Sequence, residues 1–83
     1  MNAKGVEQIL EVLIRETGII LSRPREEVSA EAPLAELGYD SMSFIELLLS
    51  VEREFGVKLI EAEMRPEDME TLERLARRIH QAG

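Results

Sequence analysis

The sequence predicts an all-α fold, a small antiparallel four-helix bundle with three main helices, one short one, and a long loop between helices 1 and 2. Three observations predict it. Apolar residues recur at helical spacing in three segments, Val6 to Thr17, Phe44 to Phe55 and Leu72 to Ile79. Residues that start or stop helices bracket those segments: Asn2, Gly18, the Asp40-Ser41 pair and Gly56. Finally, 83 residues, 45% apolar and 33% charged, allow one modest core, and a bundle is the simplest way to bury narrow apolar stripes. The expected organisation is one domain over residues 1–83.

In the first helix, Val6, Ile9, Leu10, Leu13, Ile14 and Thr17 form one face, and Glu7, Glu11 and Arg15 lie outside it. The expected bounds are about Asn2 to Thr17, with Asn2 as N-cap and Gly18 as the left-handed stop. From Gly18 to Asp40 there is no sustained period, and Pro24 and Pro33 interrupt the chain. Loops this long are uncommon unless functional. Ile19, Ile20, Leu21, Val28, Leu34 and Leu37 argue that it is pinned to the core. Within it, Pro33 to Leu37 suits one helical turn ended by Gly38.

The second helix should open at Asp40 or Ser41 and run to about Phe55, with Gly56 as its stop. At about 100° per residue, Phe44, Leu47, Leu48, Val51 and Phe55 share the core face. Met42, Ile45 and Leu49 form a second apolar stripe well over a right angle away, beside Glu46 and Arg53. A monomer would not bury both faces. The alternative for the second stripe is packing under the long loop or against a short third helix, with Ile45 the member most open to cover. Such a short helix fits around Glu61 to Met64, before Pro66. The last helix places Leu72, Leu75, Ala76 and Ile79 inward and Glu73, Arg74, Arg77 and Arg78 outward.

Composition excludes several function classes. No apolar run approaches the roughly 20 residues that span a bilayer, and the start "MNAKGVEQ" lacks the layout of a secretory signal. The expected location is cytoplasmic. Without cysteine there is no disulfide, thiolate metal site or cysteine nucleophile, so any thiol chemistry must be borrowed. A net charge of −7 disfavours nucleic acid and anionic membranes and favours partners with basic surfaces.

No catalytic pattern stands out. His80 is the single histidine, on the polar side of the last helix near the chain end, and reads as solvated. There is no GxSxG elbow, Walker loop, HExxH or EF-hand spacing. Glu26, Glu27, Glu61 and Glu63 read as solvated charge, and no metal is expected. Ser41 is different, because the Gly38-Tyr39-Asp40 turn sets it on an exposed helix start. Asp40 and Ser41 are competing N-caps, and that alone is one explanation. The other is covalent modification, since amides and the dipole at a helix N-terminus favour an anion such as a phosphodiester.

The run "LGYDSMSFIELLLSVEREFG" resembles the acyl carrier proteins of the phosphopantetheine-attachment family. Leu37, Gly38, Asp40 and Ser41 match that family's Leu-Gly-x-Asp-Ser-Leu run, with Met42 in place of the last leucine. The resemblance covers nearly the whole chain, including the Glu-x-x-Phe-Gly-like segment and "PEDMETLERLA".

The resemblance implies a non-catalytic carrier that bears 4'-phosphopantetheine on Ser41, with Asp40 positioning the turn, and holds acyl or aminoacyl groups as thioesters. A phosphopantetheinyl transferase would install the arm from coenzyme A. A ligase or acyltransferase would load the cargo, and downstream synthase enzymes would use it. Met42, Ile45 and Leu49 would be the apolar docking patch, with Glu46 and Glu52 as acidic companions, and the carrier would be a monomer. Ser43, where an acidic residue is common, and Arg53 tilt the reading toward a free-standing carrier of a dedicated fatty acyl, polyketide or nonribosomal peptide pathway. The alternatives are a carrier of primary fatty-acid synthesis and, from another class, an unmodified helical adaptor that binds partners through the second helix.

Overall fold

The structure is a computed structural model that describes residues 5–61 and 64–82. Asn2, the expected cap of the first helix, lies outside the described residues, as do Ala62 and Glu63 of the expected short helix. The described residues are all helix, turn and loop, without a strand.

Helix α1 spans Val6–Leu21. At its start the Gly5 amide donates to Gln8 Oε1 at 3.0 Å, the reciprocal half of a capping box, while Gly5 has no side chain to cap with. Ile9, Leu13 and Thr17 are buried on the expected face. Gly18 does not stop the helix. The left-handed position falls later, at Ser22, with φ 56°. Continuing the helix lets Ile20 and Leu21 pack on the core, a gain that exceeds the roughly 1 kcal/mol an interior glycine costs. Gly18 is needed for a different reason, because a Cβ there would lie 2.9 Å from the carbonyl oxygen of Arg23.

The segment from Ser22 to Asp40 is long yet held. It contains a 3-10 turn at Arg25–Glu27 and the one-turn helix α2, Leu34–Leu37, which Gly38 ends. Val28, Leu34 and Leu37 are buried, as the apolar residues of the loop predict. Two backbone hydrogen bonds tie the loop to the far end of the chain: Leu34 N to Glu70 O at 2.9 Å and Glu73 N to Ala30 O at 3.0 Å. A loop whose polar backbone finds partners can lie against a core without leaving donors stranded.

Helix α3 spans Ser41–Phe55 and ends at Gly56, as expected. Of the short helix expected around Glu61 to Met64, Ala62 and Glu63 lie outside the described residues; the described chain before and after them forms 3-10 turns, Leu59–Glu61 and Pro66–Met69. Pro66 opens the second of these, where its missing N–H costs nothing. Among the described residues the short α-helical turn of the bundle is α2. Helix α4, Leu72–Ala82, starts with Thr71 Oγ1 accepting the Arg74 amide at 3.1 Å, and it buries Leu72, Leu75, Ala76 and Ile79.

Helix α1 packs against both α3 and α4, so it is the spine of the bundle. Buried side chains of α1, α2, α3 and α4 join Val28, Val57 and Leu59 in a common core. Glu16 of α1 is buried as well, and its carboxylate meets Arg15 at 3.3 Å and Arg53 of α3 at 3.6 Å. A carboxylate so placed must be paired, and the pairing links two helices. No helix among the described residues is long and apolar enough to cross a membrane.

Candidate functional site

The site is the turn between α2 and α3, and it is assembled from local geometry outward. Gly38 adopts φ 110°, a conformation that L side chains rarely accept, and its amide closes α2 on the carbonyl of Ala35 at 3.2 Å. Tyr39 follows, its amide bonded to Leu34 O at 3.2 Å. Asp40 is extended, which aims its side chain back along the first turn of α3.

Of the two competing caps, Asp40 takes the role. Its Oδ1 accepts the Ser43 amide at 2.9 Å and the Ser43 hydroxyl at 2.8 Å, and Ser43 Oγ in turn accepts the Asp40 amide at 2.9 Å. This reciprocal arrangement satisfies donors at both ends of the first turn. The Ser43 amide, and then its hydroxyl, hold the Asp40 carboxyl below its ordinary value of 3.8. Asp40 is therefore a carboxylate at neutral pH and a weak base. The capping role leaves Ser41 exposed at the first position of α3, its hydroxyl outside the cap.

Beside Ser41 opens a crevice of about 340 Å³ lined by Leu34, Ala35, Tyr39, Phe44 and Met69 together with Asp40 and Ser41. Its walls come from α2, α3 and the turn before α4, so no single segment of sequence outlines it.

The two stripes of α3 separate as expected. Leu47, Leu48 and Val51 are buried, and Phe44 and Phe55 are half-buried against the core. Met42, Ile45 and Leu49 are 75%, 47% and 50% exposed, so all three face outward and Ile45 is the most covered. Glu46 is exposed beside them, whereas Glu52 is half-buried. Arg53 is exposed as well. It turns toward α1, with Nη2 donating to Ser50 Oγ at 3.2 Å and reaching Glu16.

His80 lies exposed in the last turn of α4. Among the described residues no group of three or more histidine, aspartate or glutamate side chains is placed to hold a metal ion. Sequence reasoning missed one polar element near the site, the pairing of Thr17 with Tyr39. Its signal was a threonine set in an otherwise aliphatic stripe, and a phenol in the variable position of the Gly-x-Asp turn.

Two comparisons with known proteins bear on this geometry. Residues 7–79 match the family model described as the phosphopantetheine attachment site, and the chain belongs to that family. This chain is accordingly a carrier domain for 4'-phosphopantetheine, a group that phosphopantetheinyl transferases attach. Over 53 residues the chain is 34% identical to Aminoacyl carrier protein 1 of Bradyrhizobium diazoefficiens, a stretch that covers 64% of this chain and 59% of that relative. The match thus spans less than two thirds of the relative's length.

Proposed function

We propose that Ser41 carries the arm, and that residues 1–83 act as one carrier unit in the cytoplasm, handing acyl or aminoacyl groups between partner enzymes. The observation that supports this most directly is an exposed serine hydroxyl at the first position of a full-length helix, released from capping by its neighbour Asp40. The dipole of α3 favours the phosphodiester anion there. In the transfer, Ser41 Oγ forms a bond to the phosphorus of coenzyme A, the phosphoanhydride bond breaks, and adenosine bisphosphate leaves. The hydroxyl proton goes to a base on the transferase, because the adjacent Asp40 carboxylate is held below its usual basicity. Once attached, the group supplies a flexible thiol on which cargo is held as a thioester.

Met42, Ile45 and Leu49 form the docking patch in this reading, with Glu46 and Glu52 as its acidic companions. Methionine suits a surface that must fit several enzymes in turn. The name of the Bradyrhizobium relative supports aminoacyl cargo. Ser43, committed to the cap rather than adding a negative charge, supports a dedicated pathway over primary fatty-acid synthesis.

Intact-protein mass spectrometry after incubation with coenzyme A and a broad-specificity transferase tests the assignment. The wild-type chain should gain one phosphopantetheine and the Ser41→Ala chain none, with the circular dichroism of the two alike. Uptake by Ser41→Ala protein, on Ser43 or Ser22, would refute the assignment. No uptake by wild type would favour the unmodified adaptor.

A further inference from the structure

Thr17 and Tyr39 are 22 positions apart, yet Thr17 Oγ1 and Tyr39 Oη stand 2.7 Å from each other in a hydrogen bond. Thr17 is fully buried in α1, while Tyr39 is half-buried and sits two residues before Ser41. The tyrosine is held at three points. Its amide bonds to Leu34 O of α2, its ring stands edge-on to Phe44 of α3 with centroids 6.3 Å apart at 88°, and its hydroxyl reaches α1. Phe44 donates its amide to Asp40 O at 2.9 Å, so the ring contact falls on the first turn of α3. Burial pushes the phenol above its ordinary value of 10.0, opposed by the Thr17 hydrogen bond and reinforced by the carboxylates of Glu16 and Glu46. The phenol therefore stays neutral throughout the physiological range.

The Asp40–Ser43 cap orients Ser41 against its own helix. The hydrogen bond between Thr17 and Tyr39 ties the same turn to α1, the spine of the bundle. We propose that Thr17 and Tyr39 are a positioning pair for arm transfer, holding the Ser41 hydroxyl in the orientation from which it attacks the phosphorus of coenzyme A bound to a phosphopantetheinyl transferase; this rests on Ser41 being the attachment residue. Positional precision matters because a transfer needs its reacting atoms in near-attack geometry, and a small displacement lowers the turnover rate rather than the encounter affinity. Thr17 cannot touch a partner enzyme, since it has no exposed surface. The hydroxyl pairs with Tyr39 Oη, so Tyr39 is the route by which its loss reaches the turn before Ser41.

The test is steady-state arm transfer from coenzyme A by one transferase to wild-type, Tyr39→Phe, Thr17→Val, Thr17→Ser and doubly substituted (Tyr39→Phe, Thr17→Val) chains. It is run where circular dichroism shows each chain folded. Losing one oriented hydrogen bond should lower kcat about fivefold in Tyr39→Phe and Thr17→Val, with KM changed less than about twofold. The double variant should be no worse than either single one, because both remove the same bond, and Thr17→Ser should restore kcat. Unchanged kcat in Tyr39→Phe and Thr17→Val would overturn the proposal and leave the bond a purely structural one. A rise in KM alone would overturn it too, making Tyr39 a surface that the transferase touches, and so would additive losses. Should Thr17→Val fail to fold, Tyr39→Phe and Thr17→Ser still decide the question. The Ser41→Ala chain runs alongside, and its modification would refute the attachment reading itself.

Discussion

Asp40 joins structure and chemistry at one side chain. Its carboxylate accepts the amide and the hydroxyl of Ser43, and that donation lowers its pKa from 3.8. A carboxyl that is more acidic in the folded chain than in the unfolded one stabilises the fold above the unfolded value, and the contribution disappears as pH falls through the folded value. Asp40→Ala should therefore lower the urea midpoint at neutral pH, and the gap to wild type should close as pH is taken below 3.8. A gap that stays constant with pH would mean that the cap depends on something other than the ionised carboxylate. At this scale the sequence named two candidate caps and could not choose. The choice follows from the extended backbone of Asp40, which brings Oδ1 to the Ser43 amide and leaves the Ser41 hydroxyl outward.

At the scale of elements, α3 carries two apolar faces that have different consequences. Leu47 is fully buried and Val51 nearly so, whereas Leu49 is half exposed on the outer stripe. Truncating a buried leucine removes its transfer energy and leaves a cavity, costing about 2–5 kcal/mol, while surface changes stay within about 0.5 kcal/mol. Leu47→Ala should lower stability by several-fold more than Leu49→Ala in urea titration, and equal losses would mean that the two faces are exchanged. Periodicity made both stripes legible, because a helix maps spacing directly onto direction. It misjudged the end of α1, since Gly18 has the composition of a stop but the tertiary position of a close approach to Arg23.

Over the whole molecule, the proposed docking face of α3 and the net charge of −7 favour the same kind of partner, one with a basic rim and an apolar centre. An apolar anchor acts mainly on dissociation, whereas a rim charge acts on encounter. Glu46→Lys should slow association of the arm-bearing protein with a matched enzyme at low salt. The difference should shrink as ionic strength rises and the Debye length contracts below about 10 Å. Stopped-flow association rates at two salt concentrations check this. Equal rates for wild type and Glu46→Lys at low salt would move recognition away from α3, toward the loop between Ser22 and Asp40.

The sequence by itself determined the helical class, the two stripes of α3, the pinned loop and the Leu-Gly-x-Asp-Ser resemblance that leads to Ser41. Each depends on residues close together in the chain, where backbone geometry turns spacing into position. Tertiary structure alone decided that α1 continues past Gly18 and that Arg53 turns to the buried Glu16. It also decided that Leu34 and Met69 share a crevice with Ser41, and that Thr17 reaches Tyr39. These join residues distant in sequence. Their pairing depends on how the helices dock, and docking is set by the shape of the whole core rather than by any local pattern.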